Sequence, residues 1–357
     1  MTHDDVLPYV RTRLPDIHPV GDPVRLPDGN LNHVWRVKGE TRSVIVKHAP
    51  PHIARDPETP LDADRILIEA RCLTAFAPGG SFSHLANSVI RPPRPLDVNP
   101  RGHVLIMEDV GDHRTLDRWV RTRDSSDSTV SSVGRILGTF LGELHAETAD
   151  RDQLSTSFDN RPMQETRLAV QYEAASTMLR RGGVDDADTL GERARTLGRR
   201  LLAPGRCLTM GDLWPRSVLV PGADLRIIDW ELAHYGRPLQ DVAHFLSHLW
   251  MQAHRAEPRR ANDIGQLRQA FLEGYTGALG DTRTDLWTAD EKRDAAIHFG
   301  AEILVRAVGP FQDGYVYDGI SPDAQPVQEA VTVAARHLRT PEAAELLTGA
   351  ENPLTKP

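Results

Sequence analysis

Along roughly the first hundred residues the apolar positions fall into short β-rich runs. His33-Val34-Trp35-Arg36-Val37 and Ser43-Val44-Ile45-Val46-Lys47 have strand composition, and the polar spacer Lys38-Gly39-Glu40-Thr41 predicts a hairpin between them. Asp62 to Phe76 mixes Ile66, Ile68, Ala70 and Leu73 with charges, which suits a helix. Arg91 to Pro95 is proline-rich and irregular, and His103-Val104-Leu105-Ile106-Met107 predicts a third, buried strand. Further on, the apolar spacing becomes helical. Leu116 to Val120 reads as a short helix, Arg123 to Ser132 as an exposed Ser/Asp-rich loop, and Val133 to Thr148 as a longer helix. Pro162–Arg181, Thr189–Leu202, Gln240–His254, Ile264–Gly277 and Ala289–Val308 follow the same spacing. Ser217–Val220 and Leu225–Ile228 interrupt them, and Pro221-Gly222-Ala223-Asp224 between the two predicts a second hairpin. No repeat is present.

This order predicts an α+β fold with two lobes: a small β-rich lobe over 1–108 and a large, mainly helical lobe over 109–357, joined near Glu108 to Gly111. At 357 residues and 39% hydrophobic, the chain is long enough for two lobes with a large core. A net charge of −8 removes the usual electrostatic drive for nucleic-acid binding. No apolar run nears the roughly 18–20 residues of a membrane span. Met1-Thr2-His3-Asp4-Asp5 lacks the basic start and apolar stretch of a signal peptide, so a cytoplasmic protein is expected. Cys72 and Cys207 are too few for a disulfide framework or a cysteine zinc site. The P-loop, G-x-G-x-x-G, G-x-S-x-G and H-E-x-x-H patterns are absent. His244 and His248 lie four apart with Asp241 a turn earlier, but no third strong ligand is in phase, which favours packed core histidines over a metal site.

The segment richest in chemistry is Met210-Gly211-Asp212-Leu213-Trp214-Pro215-Arg216-Ser217, followed by the hairpin and Ile227-Ile228-Asp229-Trp230-Glu231. A turn presents Asp212, and strand alternation can aim Asp229 and Glu231 to one side. Carboxylates converging with the Ser217 hydroxyl make an oxygen-only site suited to Mg²⁺. A carboxylate held apart from the metal can orient or deprotonate a hydroxyl nucleophile, the division of labour in phosphoryl transfer to alcohols. Upstream, Lys47 ends an apolar strand, where a lysine can reach nucleotide phosphates, and Glu69 on the next helix can pair with it. The turn Asp28 to Asn32 lies where a phosphate-covering loop belongs, with Gly29, Asn30 and Asn32 tolerating left-handed backbone. Met107-Glu108-Asp109-Val110 follows a strand, and the backbone at Glu108 and Val110 can meet an adenine edge. Each piece alone also fits an ordinary acidic hairpin or a solvated lysine; their order is what points to a kinase.

Gly29-Asn30-Leu31-Asn32-His33-Val34, Val44-Ile45-Val46-Lys47-His48-Ala49-Pro50, Asp64-Arg65, Glu69 and Met107-Glu108-Asp109 resemble the N-terminal lobe of methylthioribose kinases. Leu141-Gly142-Glu143-Leu144-His145, Gly211-Asp212-Leu213 to Leu219, and Asp229-Trp230-Glu231 through Gly236 and Asp241 are similar to the wider aminoglycoside phosphotransferase and choline kinase superfamily. The resemblance implies a protein-kinase-like bilobal fold and Mg²⁺-ATP-dependent phosphorylation of a small-molecule hydroxyl. By position it implies Lys47 and Glu69 as the phosphate-binding ion pair, Asp212 as the catalytic aspartate, and Asp229 and Glu231 as the metal pair. Ser217 stands where most of the superfamily has a metal-binding asparagine, as it does in methylthioribose kinases.

Three departures stand out. Met210 replaces a histidine, Trp214-Pro215-Arg216 replaces a turn of small residues, and Val305-Arg306 retains one arginine of a substrate-binding pair. Arg306 is therefore expected to face the acceptor, with an ion pair to an acidic residue of the large lobe as an equal alternative. The expected partners are ATP and a small hydroxylated substrate, methylthioribose or a related sugar first, with neither nucleic acid nor membrane; a homodimer is left open. An antibiotic-type aminosugar kinase and a catalytically silent kinase-like binding module are the competing readings.

Overall fold

A computed structural model of the chain describes residues 1–27, 31–122, 127–222 and 224–343 and resolves into two compact units. The first holds residues 1–113 together with 226–233. Its elements are α1 (His3–Arg13), β1 (Val24–Arg25), β2 (His33–Lys38), β3 (Ser43–His48), β4 (His52–Ile53), β5 (Asp56–Pro60), α2 (Arg65–Phe76), β6 (Ile90–Arg91), β7 (Pro95–Asn99) and β8 (Val104–Glu108). Five strands form an antiparallel sheet in the order β1-β2-β3-β8-β7. The expected hairpin is its centre, in register from His33 opposite His48 to Lys38 opposite Ser43. Alternation sorts β3 into two faces. Val44 and Val46 join Val6 and Val10 of α1 in the core, while Lys47 turns the other way and meets Glu69 of α2. Helix α1 is invisible to periodicity because only Val6 and Val10 are buried and Pro8 lies inside it.

The second unit holds residues 114–225 and those from 234 on. It begins with β9 (Arg114–Thr115), α3 (Leu116–Thr122), α4 (Asp127–Thr148), α5 (Gln153–Ser157), α6 (Arg161–Arg167), α7 (Ala175–Arg181) and α8 (Ala187–Arg200). There follow β10 (Cys207–Thr209), β11 (Val218–Val220), β12 (Leu225–Ile227), along which the chain passes into the first unit, and β13 (His234–Gly236). Helices α9 (Leu239–His254), α10 (Pro258–Leu279), α11 (Arg283–Leu286), α12 (Ala289–Ala307) and α13 (Gln325–Arg339) complete it.

Two expectations need correction. Helix α4 reaches back to Asp127, into the stretch read as a loop, because buried Val130 and Val133 continue its apolar face; residues 123–126 lie outside the described ones. The single helix expected over Pro162–Arg181 is broken by a π-helical stretch, Leu168–Glu173, that buries Gln171 and Tyr172. Such widened turns recur at functional sites. Among the described residues, no helix is long and apolar enough to cross a membrane.

Helix α9 is the spine of the second unit, buried from Leu239 to Ala253. A helix buried all round is normally apolar, yet this one carries Gln240, Asp241, His244, Ser247, His248 and Gln252 inward. Each must find a partner or bear a desolvation cost, and those partners build the cluster around Asp212 described below.

Helices α4 and α10 approach closely because glycines recur along α4. An added Cβ at Gly138 would lie 2.0 Å from the Phe271 carbonyl oxygen, and one at Gly142 2.6 Å from that of Tyr275. Gly138→Ala is therefore expected to lower the unfolding free energy by roughly 1–3 kcal/mol, although alanine is the better helix former. Urea denaturation checks this; equal or greater stability would disprove the close approach.

Candidate active site

In the first unit the chemistry gathers around two buried cations, Lys47 and Arg65. Lys47 Nζ lies 2.7 Å from Glu69 Oε2, 3.0 Å from Asp229 Oδ1 and 3.5 Å from Glu231 Oε1. Burial opposes its charge, but the three carboxylates more than offset this and raise its pKa well above the usual lysine value. Glu69 is pushed up by the same burial and by the neighbouring carboxylates, with Lys47 opposing. Arg65 is fully buried. It donates to Glu231 Oε2 (3.1 Å), Asn32 Oδ1 (3.1 Å), and the carbonyls of Leu31 (2.8 Å), Pro50 (3.2 Å) and Asp62. Asn32 Nδ2 completes the set by donating to both Glu231 oxygens at 2.8 Å.

The two acidic residues of the Asp-x-Glu segment therefore differ. Glu231 is 5% exposed and enclosed by Asn32, Arg65 and Lys47. The Asp229 side chain is 49% exposed, and its backbone sits at φ 65°, a left-handed conformation uncommon outside glycine. With all five ionised, two cations against Glu69, Asp229 and Glu231 leave one net negative charge. That is an oxygen-only donor set with an open carboxylate, and it suits a hard divalent cation.

The other expected nucleotide residues are placed less uniformly. Gly29 and Asn30 lie outside the described residues, and Asn32 spends its amide on Glu231 and Arg65. The Glu108 carboxylate receives both Arg91 guanidinium nitrogens at 2.7 Å and the Arg94 backbone N–H at 3.1 Å. Burial alone would raise its pKa; the Arg91 fork and the other donors bring it down to about 2. Its neighbour Asp109 accepts from Ser43 Oγ at 2.6 Å and pairs with Arg36 at 2.8 Å, bracing the segment on the sheet. The Val110 backbone makes no hydrogen bond among the described residues.

In the second unit Asp212 lies on the loop after β10, and the buried Asp241 of α9 holds that loop by accepting the N–H groups of Met210 and Gly211, both at 2.8 Å. His145 Nε2 meets the same carboxylate at 3.1 Å. Met210 is itself buried, so the residue at this departure serves the core while its backbone serves the loop. Asp212 Oδ1 receives Arg167 Nη2 at 2.9 Å and faces His244 Nε2 at 3.2 Å. Burial would raise its pKa, but His244 first, then Arg167 and Arg306, hold it well below the usual carboxylate range. Ser217 Oγ donates to the Trp214 carbonyl at 2.8 Å and accepts the Trp214 N–H at 3.3 Å, closing the turn.

Arg306 makes the ion pair expected as one of its two readings. Its Nε donates to Glu302 Oε1 at 2.8 Å one helical turn away, and its charge also acts on Asp212. The guanidinium lies 4.9 Å from the Trp214 ring centre, 5.3 Å from Phe311 and 5.5 Å from Tyr315, within cation–π range. The third ligand found missing beside His244 and His248 comes from another helix: Glu302 of α12 brings the ligand atoms within 4.8 Å of one another. These groups are already engaged. Burial pushes His248 down to about 3, so it is neutral, with Nε2 3.1 Å from Glu302 and Nδ1 2.8 Å from Tyr315 Oη. Arg65, Arg167, His244 and Glu302 are the residues that reasoning by segment did not single out as functional. For Arg65 and Glu302 the local signal was a charged residue on an apolar helix face, Arg65-Ile66-Leu67-Ile68 and Glu302-Ile303-Leu304; for His244 it was the spacing from His248.

The chain belongs to the APH phosphotransferase enzyme family, whose model matches residues 23–279. It is an enzyme of the small-molecule kinase class with a protein-kinase-like fold. Among curated relatives it is 27% identical over 342 residues to a 4-hydroxytryptamine kinase of Psilocybe cyanescens, covering 86% of this chain and 93% of that protein. It is also 27% identical over 360 residues to a methylthioribose kinase of Erwinia tasmaniensis, covering 87% and 86%. Solved structures with the same fold include amicoumacin kinase hAmiN in complex with AMP-PNP, Ca²⁺ and Ami, at TM-score 0.55, 14% identity, and 95% and 94% coverage. Choline kinase from Cryptosporidium parvum matches at TM-score 0.51, 14% identity, and 95% coverage of each chain.

The Glu108 ion pairs make acid stability a test of this geometry. A carboxyl whose pKa is lowered on folding stabilises the protein above its unfolded value near 4.5, and that contribution disappears as pH falls towards about 2. Glu108→Gln is expected to cost on the order of 1–3 kcal/mol at pH 7 and to flatten the fall in stability between those pH values. Denaturation midpoints across pH 2–7 measure both; a parallel curve would show that Glu108 is not so paired.

Proposed function

We propose that this protein is an ATP- and Mg²⁺-dependent kinase that transfers the γ-phosphoryl group of ATP to a hydroxyl of a small molecule. The observation that supports this most is the buried Lys47 ammonium, held between Glu69 and the half-exposed Asp229. A lysine so fixed is a point charge for nucleotide phosphates. Asp229 is the principal Mg²⁺ ligand, and Glu231, locked by Asn32 and Arg65, assists through water. Ser217 Oγ retains one lone pair for the same purpose. When bound, the metal neutralises phosphate charge. The backbone at Glu108 and Val110 binds the adenine edge, and the segment Gly29 to Asn32 covers the phosphates. Asp212 accepts a hydrogen bond from the acceptor hydroxyl. As that oxygen attacks the γ-phosphorus, the bond to the ADP oxygen breaks and the hydroxyl proton leaves by way of Asp212 to solvent. Because the carboxyl is strongly acidic, Asp212 works mainly by orientation. A cytoplasmic setting suits an enzyme that consumes ATP.

Methylthioribose or a related sugar is the first acceptor in view. A second class has a specific observation in its favour: Trp214, Tyr315 and the 44%-exposed Phe311 surround Arg306 and offer flat surfaces to an aromatic alcohol. Relatives at the same identity carry both kinds of name. A polycationic aminosugar fits less well, because Arg167, His244 and Arg306 already bracket Asp212. Arg306 contributes to acceptor choice on this reading. ADP release with methylthioribose, other pentoses, 4-hydroxytryptamine, choline and aminoglycosides tests the assignment. Turnover with none of them, together with no ATP binding, would favour a silent binding module.

Asp212→Asn should keep ATP affinity within about twofold while lowering kcat by roughly 10²–10⁴; steady-state kinetics with calorimetric ATP binding decides. Asp229→Ala should abolish the Mg²⁺ dependence of both ATP binding and turnover. A Mg²⁺ titration matching that of the parent would place the metal elsewhere.

A further inference from the structure

The two oxygens of Asp212 are treated differently. Oδ1 takes Arg167 Nη2 at 2.9 Å and faces His244 Nε2 at 3.2 Å, whereas Oδ2 accepts no hydrogen bond among the described residues. His244 is 1% exposed and sits between two carboxylates, its other nitrogen, Nδ1, lying 3.6 Å from Glu302 Oε2. Glu302 is anchored in turn, since Oε1 receives Arg306 Nε at 2.8 Å and lies 3.1 Å from His248 Nε2. Tyr315 Oη lies 2.8 Å from His248 Nδ1 and accepts from Gln252 Nε2 at 3.1 Å, which returns the network to α9. The imidazole of His244 thus faces a carboxylate on each side without completing a hydrogen bond to either, close to Asp212 and farther from Glu302. Contacts of this kind commonly tighten when substrate enters.

We propose that His244 is a positioning residue for phosphoryl transfer: set between Glu302 and Asp212, it pins Oδ1 of Asp212 together with Arg167, leaving Oδ2 as the one oxygen that receives the acceptor hydroxyl. This rests on the reading of Asp212 as the hydroxyl-orienting group. A carboxylate free to rotate offers either oxygen in many orientations; one fixed at Oδ1 offers a single direction, and orientation is what such a group contributes. The arrangement also fixes the ionisation of Asp212. The charged and titratable groups around His244 are Asp212 from the loop after β10, Arg167 from α6, His298, Glu302 and, through Glu302, Arg306 from α12, and His248 from its own helix. Without the imidazole, burial acts on Asp212 with less opposition, so its pKa rises and protonation reaches it at higher pH.

The test uses Mg²⁺-ATP with water as acceptor, read as phosphate release, and methylthioribose as a second acceptor. Two substitutions are compared: His244→Phe keeps a ring without a donor, and His244→Gln keeps an amide N–H in reach of Oδ1. His244→Phe is expected to lower kcat on the order of 10- to 100-fold, leave the KM for ATP near that of the parent, and move the acid limb of the pH–rate profile upward. His244→Gln is expected to recover most of kcat and the parent acid limb. A His244→Phe protein with parent kcat and acid limb, beside an inactive Asp212→Asn, overturns the inference and leaves the role of Asp212 standing. Parent turnover in Asp212→Asn overturns that role itself. If His244→Phe does not fold, Arg167→Met at the other contact of Oδ1 decides: the same loss of kcat at parent KM for ATP is expected, and parent kcat refutes the pinning.

Discussion

An ammonium group removed from water must be surrounded by negative charge or be neutralised, and in this protein Lys47 is 3% exposed. Much else in the first unit follows from that constraint. Glu69 must stand on the face of α2 that looks at β3, which fixes the rotation of the helix. Glu231 must be near as well, and because its own burial needs compensation, Arg65 and Asn32 are drawn in. Arg65 then ties Leu31, Pro50 and Asp62 to the same point. A cluster so interdependent adds little net stability, but loss of any one member leaves an uncompensated charge. It fixes geometry at the expense of tolerance.

The second unit solves a related problem with neutral and charged groups along a single helix. Helix α9 is buried on every side, so Asp241, His244 and His248 find partners only within the protein. Asp241 takes backbone N–H groups of the loop that bears Asp212, while His244 and His248 meet carboxylates and a tyrosine. The polar positions of the spine therefore do for Asp212 what Arg65 does for Glu231: each converts burial into fixed direction.

Most of the strand and helix order and the Lys47–Glu69 pairing were legible in the sequence because each depends on a periodic face or on neighbouring elements. The resemblance to kinases also put Asp229 and Glu231 in one segment, but could not show that one is open and the other enclosed. That difference depends on Asn32 and Arg65, over 160 residues away in the chain. Glu302 was missed beside His244 and His248 for the same reason, since ligands on two helices have no common period. Helix α1 escaped notice because its buried stripe is two valines, whereas α13 carries a regular stripe, Val327, Ala330, Val331, Ala334, Ala335 and Leu338, whose alanines make it only weakly apolar. A division by residue number likewise cannot express that 226–233 belongs with the first unit.

The left-handed backbone at Asp229 has a consequence in the genetic code. Asparagine and glycine are the residues that adopt this conformation most readily, and both aspartate codons reach each of them by one base change. The carboxylate can therefore vanish while the turn keeps its shape, whereas glutamate, nominally the conservative exchange, keeps the charge on a residue less suited to that backbone. Folded chains that have lost this carboxylate thus lie one mutation away. In any collection of related genes, position 229 is where retained architecture and retained chemistry would part company first.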